Sequence, residues 1–591
     1  MRVHVLVSSL AFAIACARPQ PAPPIPDPVA VIPEDVPVTR VASKVTADSL
    51  LATLTVRQQV GQLVFPWLLG DYAALDGETL AATLAAIDSL EIGGIIISIG
   101  SPLDVAAKLN ALQRRSRLPL LIAADLENGT GMRLQGGTAF PPLMGIGATG
   151  GDEDAYELGR VTALEARAVG IHLTFSPVAD VNNNPLNPII NTRSFGEDPQ
   201  AVARLVTAYI RGAREHGLFT TAKHFPGHGD TGTDSHIAVP VAPGCWDRLD
   251  TLELVPFRAA IAAGVTAVMT AHVALPCLDP DDPVPATLSR AATAGLLRDS
   301  LGFEGLVVTD ALVMGAIVER FGAGESAVRA FLAGSDLLLM PADLHAAVDA
   351  MVTAVESGRI AREHLARSVR RVLQLKLDAN VFEHRLVSLD AIPQVVGQRA
   401  FQASADLAAR RALTLVTPGP VQAFRRQRGR TAVITYAEET NLSLGNEMLR
   451  RLRVQGETVT TFRLYPASGT ASYDSARVVA RGAARVVFAP SVRPIAWRGH
   501  VALPDSLAAL ITAVAQAQPT MLVSFGSPYL LNQLPDFRGG YLIAWNGTIA
   551  TERAAADALT GAGAITGTLP ITLDPAHPRG TGVRVERDPT Q

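Results

Sequence analysis

Short apolar runs alternate with longer amphipathic stretches between residues 45 and 385. Eight such runs stand out: 62–68, 93–98, 119–125, 172–180, 219–225, 267–273, 306–310 and 336–341. Strands separated by helical stretches predict parallel βαβ units. Eight of these units within about 340 residues predict a (β/α)₈ TIM-like barrel with a few long loops.

A second alternation follows a helical connector around residues 345–410. Its six apolar runs are 412–418, 431–437, 459–465, 484–490, 520–526 and 541–547. They predict a smaller, doubly wound α/β sandwich domain over residues 386–591. This region holds no dense group of histidines and carboxylates and no phosphate-cradling glycine fingerprint. We therefore expect it to pack against the barrel.

The first 44 residues have a different pattern. Residues 1–17 place Arg2 before a short apolar run, which predicts a secretory signal peptide. That run is about half of the roughly 20 residues that a membrane-spanning helix needs. Ala-Ile-Ala-Cys resembles a lipoprotein box that would place a lipid on Cys16, and cleavage after Ala17 is the alternative. The prolines of residues 18–44 predict an extended tether.

Composition narrows the class of partner. The 591 residues include 48% hydrophobic and 18% charged residues, typical of a globular protein. The 51 basic and 55 acidic residues form no basic block, so nucleic acid is not an expected partner. We expect an exported protein, either a periplasmic or cell-envelope lipoprotein or a secreted one. Cys245 and Cys277 can pair in an oxidising compartment, but the sequence does not place their Cα atoms.

Polar residues gather where the predicted barrel strands end. They are Asp125, Asp180, Lys223, His224, His272 and Asp310. The loops that follow barrel strands converge on one face, and enzymes with this fold have their active sites there. We expect these side chains to surround one site.

The densest cluster is Lys-His-Phe-Pro-Gly-His-Gly-Asp-Thr-Gly-Thr-Asp-Ser-His over residues 223–236. Its glycines and proline favour a loop after the strand. A solvated surface loop and a structural zinc site are the alternatives. Zinc is disfavoured because the histidines lack the H-E-x-x-H spacing and have no cysteine near them. We expect no metal.

The segments KHFPGHG (223–229) and DSH (234–236) resemble the signature of the β-N-acetylhexosaminidase branch of glycoside hydrolase family three. Other similar segments are 54–66, 93–98, 170–182, 191–199, 303–312, 333–341 and 567–573. The resemblance implies an exo-acting retaining β-N-acetylglucosaminidase that needs no cofactor. It implies an oligosaccharide substrate of cell-wall or chitin type.

The resemblance also implies catalytic roles. Asp310 in VVTDAL matches the family's nucleophile, and a carboxylate at a strand tip can trap an oxocarbenium-like centre covalently. Its alternative role is to cap the next helix. His236 matches the proton donor and Asp234 its supporting carboxylate, since histidine exchanges protons near neutral pH.

The substrate-binding positions implied by the resemblance are Asp125, Arg133, Arg193, Lys223 and His224. Structural salt bridges are the alternative for the two arginines, and Asp180 is expected to brace its strand end. Two departures from the family pattern, Asp-Leu-Glu-Asn-Gly at 125–129 and Ala311 after the nucleophile, affect the finer sugar contacts.

Three other functions are compatible with this scaffold. A β-glucosidase is disfavoured by the histidine-based dyad, and a glycoside phosphorylase would require phosphate for turnover. A catalytically silent wall-binding lipoprotein would be expected to have lost Asp310 or His236, and the chain has both.

Overall fold

The computed structural model describes residues 45–74, 77–426 and 429–589. The predicted signal peptide, Cys16 and the proline-rich tether therefore lie outside the described residues. Within those ranges, no helix combines the length and the apolar character needed to cross a membrane.

The first sheet is a ring of parallel strands. They are β1 (Val64–Phe65), β2 (Trp67–Leu68), β3 (Gly94–Ile97), β4 (Leu121–Ala124), β5 (Leu173–Thr174), β6 (Phe219–Phe225), β7 (Ala267–Thr270), β8 (Leu306–Thr309) and β9 (Leu338–Leu339). Strands β2 to β8 pair in chain order, and β1 pairs with β9. A bridge from Val308 to Leu337 joins β8 to β9. Because β1 and β2 are halves of one strand interrupted by Pro66, the eight predicted runs fill eight strand positions.

Helices surround this ring. They are α1 (Ala47–Leu51), α2 (Val56–Gly61), α3 (Glu78–Leu90), α4 (Pro102–Arg115), α5 (Leu143–Thr149), α6 (Asp152–Ala168), α7 (Pro199–Glu215), α8 (Trp246–Arg248), α9 (Leu254–Ala262), α10 (Gly315–Ala333), α11 (Leu344–Glu356), α12 (Arg362–Asp378) and α13 (Ile392–Val395). Two segments are π-helical. Leu249–Glu253 lies between α8 and α9, and Ala291–Ser300 lies between β7 and β8. Helix α7 begins where Asp198 accepts the N–H of Ala201 and Pro199 fills the first position.

The second sheet has six strands in the order β10–β15–β14–β13–β11–β12, with β10 antiparallel to β15. Its strands are β10 (Thr414–Thr417), β11 (Arg430–Tyr436), β12 (Thr458–Leu464), β13 (Arg485–Pro490), β14 (Thr520–Ser524) and β15 (Gly540–Ile543). Its helices are α14 (Arg399–Ala412), α15 (Val421–Arg426), α16 (Asn446–Val454), α17 (Thr470–Arg481), α18 (Asp505–Ala517) and α19 (Ile549–Thr560). The predicted fold class, a TIM-like barrel followed by a smaller α/β sandwich, is confirmed.

Each face of the second sheet has its own apolar core. One core includes residues of α14, α15, α16 and α19. The other includes residues of α17 and α18 together with Met144 and Ala148 of α5, a barrel helix. Glu197 reinforces this contact by accepting hydrogen bonds from the N–H and the hydroxyl of Thr572, both at 2.7 Å. The sandwich domain is therefore packed directly on the α5 side of the barrel.

Candidate active site

Asp310 follows β8 and is partly exposed at the carboxyl end of the barrel. Its N–H donates to the carbonyl of Thr270 at 3.2 Å, which fixes it to β7. Burial raises the pKa of Asp310, but the nearby imidazoles of His272 and His224 outweigh that effect. The net pKa lies well below the usual value, so this carboxylate stays ionised and nucleophilic at neutral pH.

His272 holds the backbone beside Asp310. Its Nε2 lies 3.0 Å from the carbonyl oxygen of Ala311, and its Nδ1 lies 2.8 Å from Thr287 Oγ1. The carbonyl can only accept a hydrogen bond, so Nε2 carries the hydrogen. Burial lowers the pKa of His272. The sequence marked this residue as a strand-tip histidine without giving it a role.

Asp234 and His236 form a hydrogen-bonded dyad in the loop of residues 226–245, which we call the dyad loop. Asp234 Oδ1 lies 2.8 Å from His236 Nδ1 and accepts the His236 N–H at 2.9 Å. The Asp234 side chain is fully buried, whereas that of His236 is 23% exposed. Burial raises the pKa of Asp234, but the hydrogen bonds from His236 outweigh it and the net shift is downward. With Nδ1 held by Asp234, proton exchange with a substrate falls to Nε2.

The second oxygen of Asp234 is held by the sandwich domain. The N–H of Trp497, in the loop between β13 and α18, donates to Asp234 Oδ2 at 2.9 Å. The Trp497 ring lies edge-on to His236, with 5.4 Å between the ring centroids. Trp497 has a φ of 72°, a left-handed conformation that costs a bulky residue about 1–3 kcal/mol. Sequence reasoning missed Trp497, since nothing near it in the chain points to a partner 263 positions away.

Three of the predicted binding residues meet at the tips of β4 and β6. Lys223 Nζ lies 2.9 Å from Asp125 Oδ1 and 2.8 Å from Glu127 Oε1. Arg133 approaches the other oxygen of Asp125 at 3.6 Å. Burial lowers the pKa of Lys223, but Asp125 and Glu127 outweigh it, so the ammonium stays charged. Asp125 remains 33% exposed and is accessible to a ligand.

Glu127 is a second residue that the sequence reasoning missed. Its carboxylate accepts from Arg193 Nε at 3.0 Å and from Arg193 Nη2 at 2.8 Å. Burial raises the pKa of Glu127, but Arg193 and Lys223 outweigh it and hold it well below its usual value. The available signal was its position two residues after Asp125, at the same strand tip. Glu127 thus links the two predicted cations.

Asp180 holds His224 and the start of the dyad loop. Its Oδ2 lies 2.7 Å from His224 Nδ1, and its Oδ1 accepts the N–H of His228 at 2.7 Å. His224 Nε2 then faces Arg193 Nη2 at 3.5 Å. His228 is enclosed between Thr231 and Ser235, and burial lowers the pKa of His228 to about 4. Asp180 and His228 therefore organise the loop from within.

The dyad loop also passes close to the segment that follows Asp310. A Cβ added at Gly315, five positions after Asp310, would lie 3.0 Å from the carbonyl oxygen of His236. All eight predicted site residues thus lie at one end of the barrel. They are Asp310, the Asp234–His236 dyad, and a charged cup made of Asp125, Arg133, Arg193, Lys223 and His224. In residues 45–74, 77–426 and 429–589, no three His, Cys, Asp or Glu side chains are grouped to hold a metal.

Comparison with known proteins gives concordant matches. The family model described as "Glycosyl hydrolase family 3 N terminal domain" matches residues 55–375. A Cellulomonas fimi protein named beta-N-acetylglucosaminidase/beta-glucosidase is 31% identical over 479 residues, covering 76% of this chain and 83% of that protein.

Two solved structures have the same fold. A glycoside hydrolase family 3 beta-N-acetylglucosaminidase from Paenibacillus sp. str. FPU-7 is 35% identical with a TM-score of 0.80, covering 88% of this chain and 99% of that one. The beta-glucoside phosphorylase BglX bound to 2FGlc is 26% identical with a TM-score of 0.80, covering 89% and 96%. Both matches extend over the barrel and the sandwich domain.

Proposed function

Because the chain belongs to glycosyl hydrolase family 3, we propose that it is an exo-acting retaining β-N-acetylglucosaminidase. It removes terminal β-linked N-acetylhexosamine from oligosaccharides of cell-wall or chitin type. The observation that carries this proposal is the Asp234–His236 dyad, whose loop passes beside the segment that carries the ionised Asp310. One side chain can attack the sugar while the other exchanges a proton with the leaving group.

In the first step, the Asp310 carboxylate attacks the anomeric carbon and the bond to the leaving oxygen breaks. His236 donates its Nε2 proton to that oxygen, and a covalent glycosyl-enzyme forms. In the second step, the now neutral His236 takes a proton from water. The water attacks the anomeric carbon, Asp310 is released, and the configuration is retained.

Asp234 supports both steps through His236 Nδ1. A carboxylate on this nitrogen fixes the tautomer and stabilises the imidazolium that precedes proton donation. The buried Asp234 accepts N–H groups on both of its oxygens, so it cannot rotate away without losing hydrogen bonds. Asp234 is therefore a positioning residue.

The charged cup orients the sugar ring. Asp125, Arg133, Arg193, Lys223 and His224 supply donors and acceptors for hydroxyl and acetamido groups. Ion pairs with Glu127 hold Arg193 and Lys223 in place.

A glycoside phosphorylase and a β-glucosidase are the alternatives on this scaffold. The similarity to a solved beta-glucoside phosphorylase and the double name of the Cellulomonas fimi protein make them worth testing. A phosphorylase would pass the glycosyl group from Asp310 to phosphate, and its turnover would depend on that anion.

A panel of aryl β-glycosides tests the assignment. We expect the N-acetyl-β-glucosaminide to be cleaved far faster than the matching β-glucoside, with the same rate in buffers with and without phosphate. The first-formed product should be the β-anomer of the free sugar by NMR. Equal or reversed rates would move the assignment to a β-glucosidase, and a sugar phosphate as product would move it to a phosphorylase.

The leader pattern supports export and attachment of the chain to the cell envelope through a lipid on Cys16. This location would give the enzyme access to peptidoglycan fragments in the periplasm. Fractionation of cells that carry Cys16→Ser tests it, because loss of the lipidated residue should release the enzyme from membranes. An unchanged pattern would favour cleavage after Ala17 instead.

A further inference from the structure

Cys245 and Cys277 have no role in the chemistry above, although the fold brings them together. Cys245 ends the dyad loop and is exposed, and Cys277 is partly exposed in the loop after β7. We call residues 271–285 the β7 loop. Within residues 45–74, 77–426 and 429–589, these are the only cysteines.

Backbone pairing sets the register between the two loops. Val241 and Ala274 form a parallel bridge. The N–H of Ala274 donates to the Pro240 carbonyl at 2.9 Å, and the N–H of Ala242 donates to the Ala274 carbonyl at 3.0 Å. Cys245 follows Val241 by four residues and Cys277 follows Ala274 by three, so the parallel pairing brings both cysteines just beyond the bridge.

The two thiols are in contact in the reduced structure. Burial raises the pKa of Cys277 to about 11, and a hydrogen bond with the thiol of Cys245 adds to the rise. The Cys277 side chain therefore faces Cys245, and a disulfide requires two cysteine side chains that face each other.

We propose that Cys245 and Cys277 form a disulfide bond that ties the dyad loop to the β7 loop. The oxidising surroundings that favour this bond rest on the proposed export of the chain. The bond lies nine residues beyond His236, at the end of the dyad loop opposite the end that Asp180 and His228 hold.

The chemistry is thiol–disulfide exchange with an oxidised dithiol. The exposed Cys245 thiolate attacks one sulfur of the added disulfide and releases one thiolate. The Cys277 thiolate then attacks Cys245 Sγ and releases the second thiolate. The two cysteine thiols give up two electrons and two protons, and the added disulfide is reduced to two thiols.

The dyad loop is held by different contacts at its start, middle and end. His228 and Asp180 fix its start, and Trp497 fixes its middle through Asp234. Its end relies on a short stretch of backbone pairing with the β7 loop. A covalent link there limits local opening of the loop and leaves the geometry of the dyad unchanged.

The full chain with Cys16→Ser, which leaves only these two thiols, tests the cross-link. It is equilibrated with oxidised and reduced glutathione, alkylated and mapped by mass spectrometry. We expect one peptide pair joined through Cys245 and Cys277. Separate glutathione adducts on the two cysteines, or disulfide-linked dimers, would overturn the proposal. Hydrolysis is not measured, so this result stands apart from the assignment of activity.

Amide hydrogen exchange tests whether the disulfide restrains the dyad loop. Oxidised protein should exchange the amides of residues 231–245 several-fold more slowly than the matched Cys245→Ser/Cys277→Ser variant. Reduced protein should match that variant, and exchange in α6 and α7 should be the same in all three. Equal exchange in the dyad loop before and after oxidation would show that the bond does not hold the loop.

Discussion

The two proposed reacting groups, Asp310 and His236, are positioned in opposite ways. Asp310 directly follows the barrel strand β8, and its neighbours Thr270 and His272 lie at the end of the adjacent strand β7. His236 lies on a loop and is held by Asp234, which depends on Trp497 from the other domain. A group on a strand is positioned by the ladder itself, whereas a group on a loop needs contacts that are distant in sequence. The position of Asp310 is thus set within the barrel, whereas the position of His236 depends on both domains.

We expect Asp310→Asn to give the largest loss of activity. It tests the group that the barrel positions. The amide cannot attack the anomeric carbon, so kcat/KM should fall by about 10⁴-fold or more whatever the leaving group. Steady-state rates on aryl N-acetyl-β-glucosaminides measure it, and intact-mass spectra should show no glycosyl-enzyme. A residual rate that depends strongly on the leaving group would place the nucleophile elsewhere.

His236→Ala tests the group that the dyad loop positions, and the resulting loss of activity should depend on the leaving group. On poor leaving groups we expect a loss of about 10²–10⁴-fold, because the departing oxygen then lacks a proton donor. A dinitrophenyl substrate needs little protonation, so it should give a burst followed by slow turnover. Stopped-flow kinetics measures the burst, and azide should accelerate the slow phase. Normal activity on poor leaving groups would move the acid/base role to Asp230 or Asp234.

Asp234→Asn should give a loss of about 10- to 100-fold, between wild type and His236→Ala. The amide keeps a hydrogen-bond acceptor but removes the charge that stabilises the imidazolium. The readout is the dependence of kcat/KM on the leaving group, which should steepen as proton donation by His236 weakens. A uniform loss across leaving groups would indicate damage to the fold.

Trp497 separates the backbone contact from the ring contact. Trp497→Gly keeps the N–H and tolerates the φ of 72°, so kcat/KM on a substrate with a poor leaving group should change by only a few-fold. Trp497→Pro removes the N–H and fixes a negative φ, and should approach the loss seen in Asp234→Asn. Equal losses in both variants would assign the effect to the ring.

His272→Asn should give the smallest effect, which is a shift in the acid limb of the pH profile of kcat/KM. The His272 imidazole lowers the pKa of Asp310, so its removal should raise that pKa. Asp310 must be ionised to attack, so activity should be lost at a higher pH than in wild type, by less than about one unit. An acid limb that stays fixed would show that His272 acts only through the backbone.

The same contrast explains what the sequence predicted. All eight barrel strands and all six strands of the sandwich appear as apolar runs, because burial imposes local patterns. Asp125, Lys223 and Asp310 were found for the same reason, since each follows a buried run. Trp497 leaves no such trace, because its role depends on a hydrogen bond across the domain boundary. Glu127 was visible in the chain, but its task as a bridge between Arg193 and Lys223 needs the assembled site.

The Trp497 contact also sets an order in time. The ribosome makes β8 and the dyad loop long before it reaches residue 497. The barrel of a growing chain can therefore close while Asp234 Oδ2 still lacks the N–H of Trp497. The acid/base pair is finished only when the sandwich domain has folded against that barrel. Full catalytic competence therefore arrives late in biosynthesis, once almost the whole polypeptide has been made.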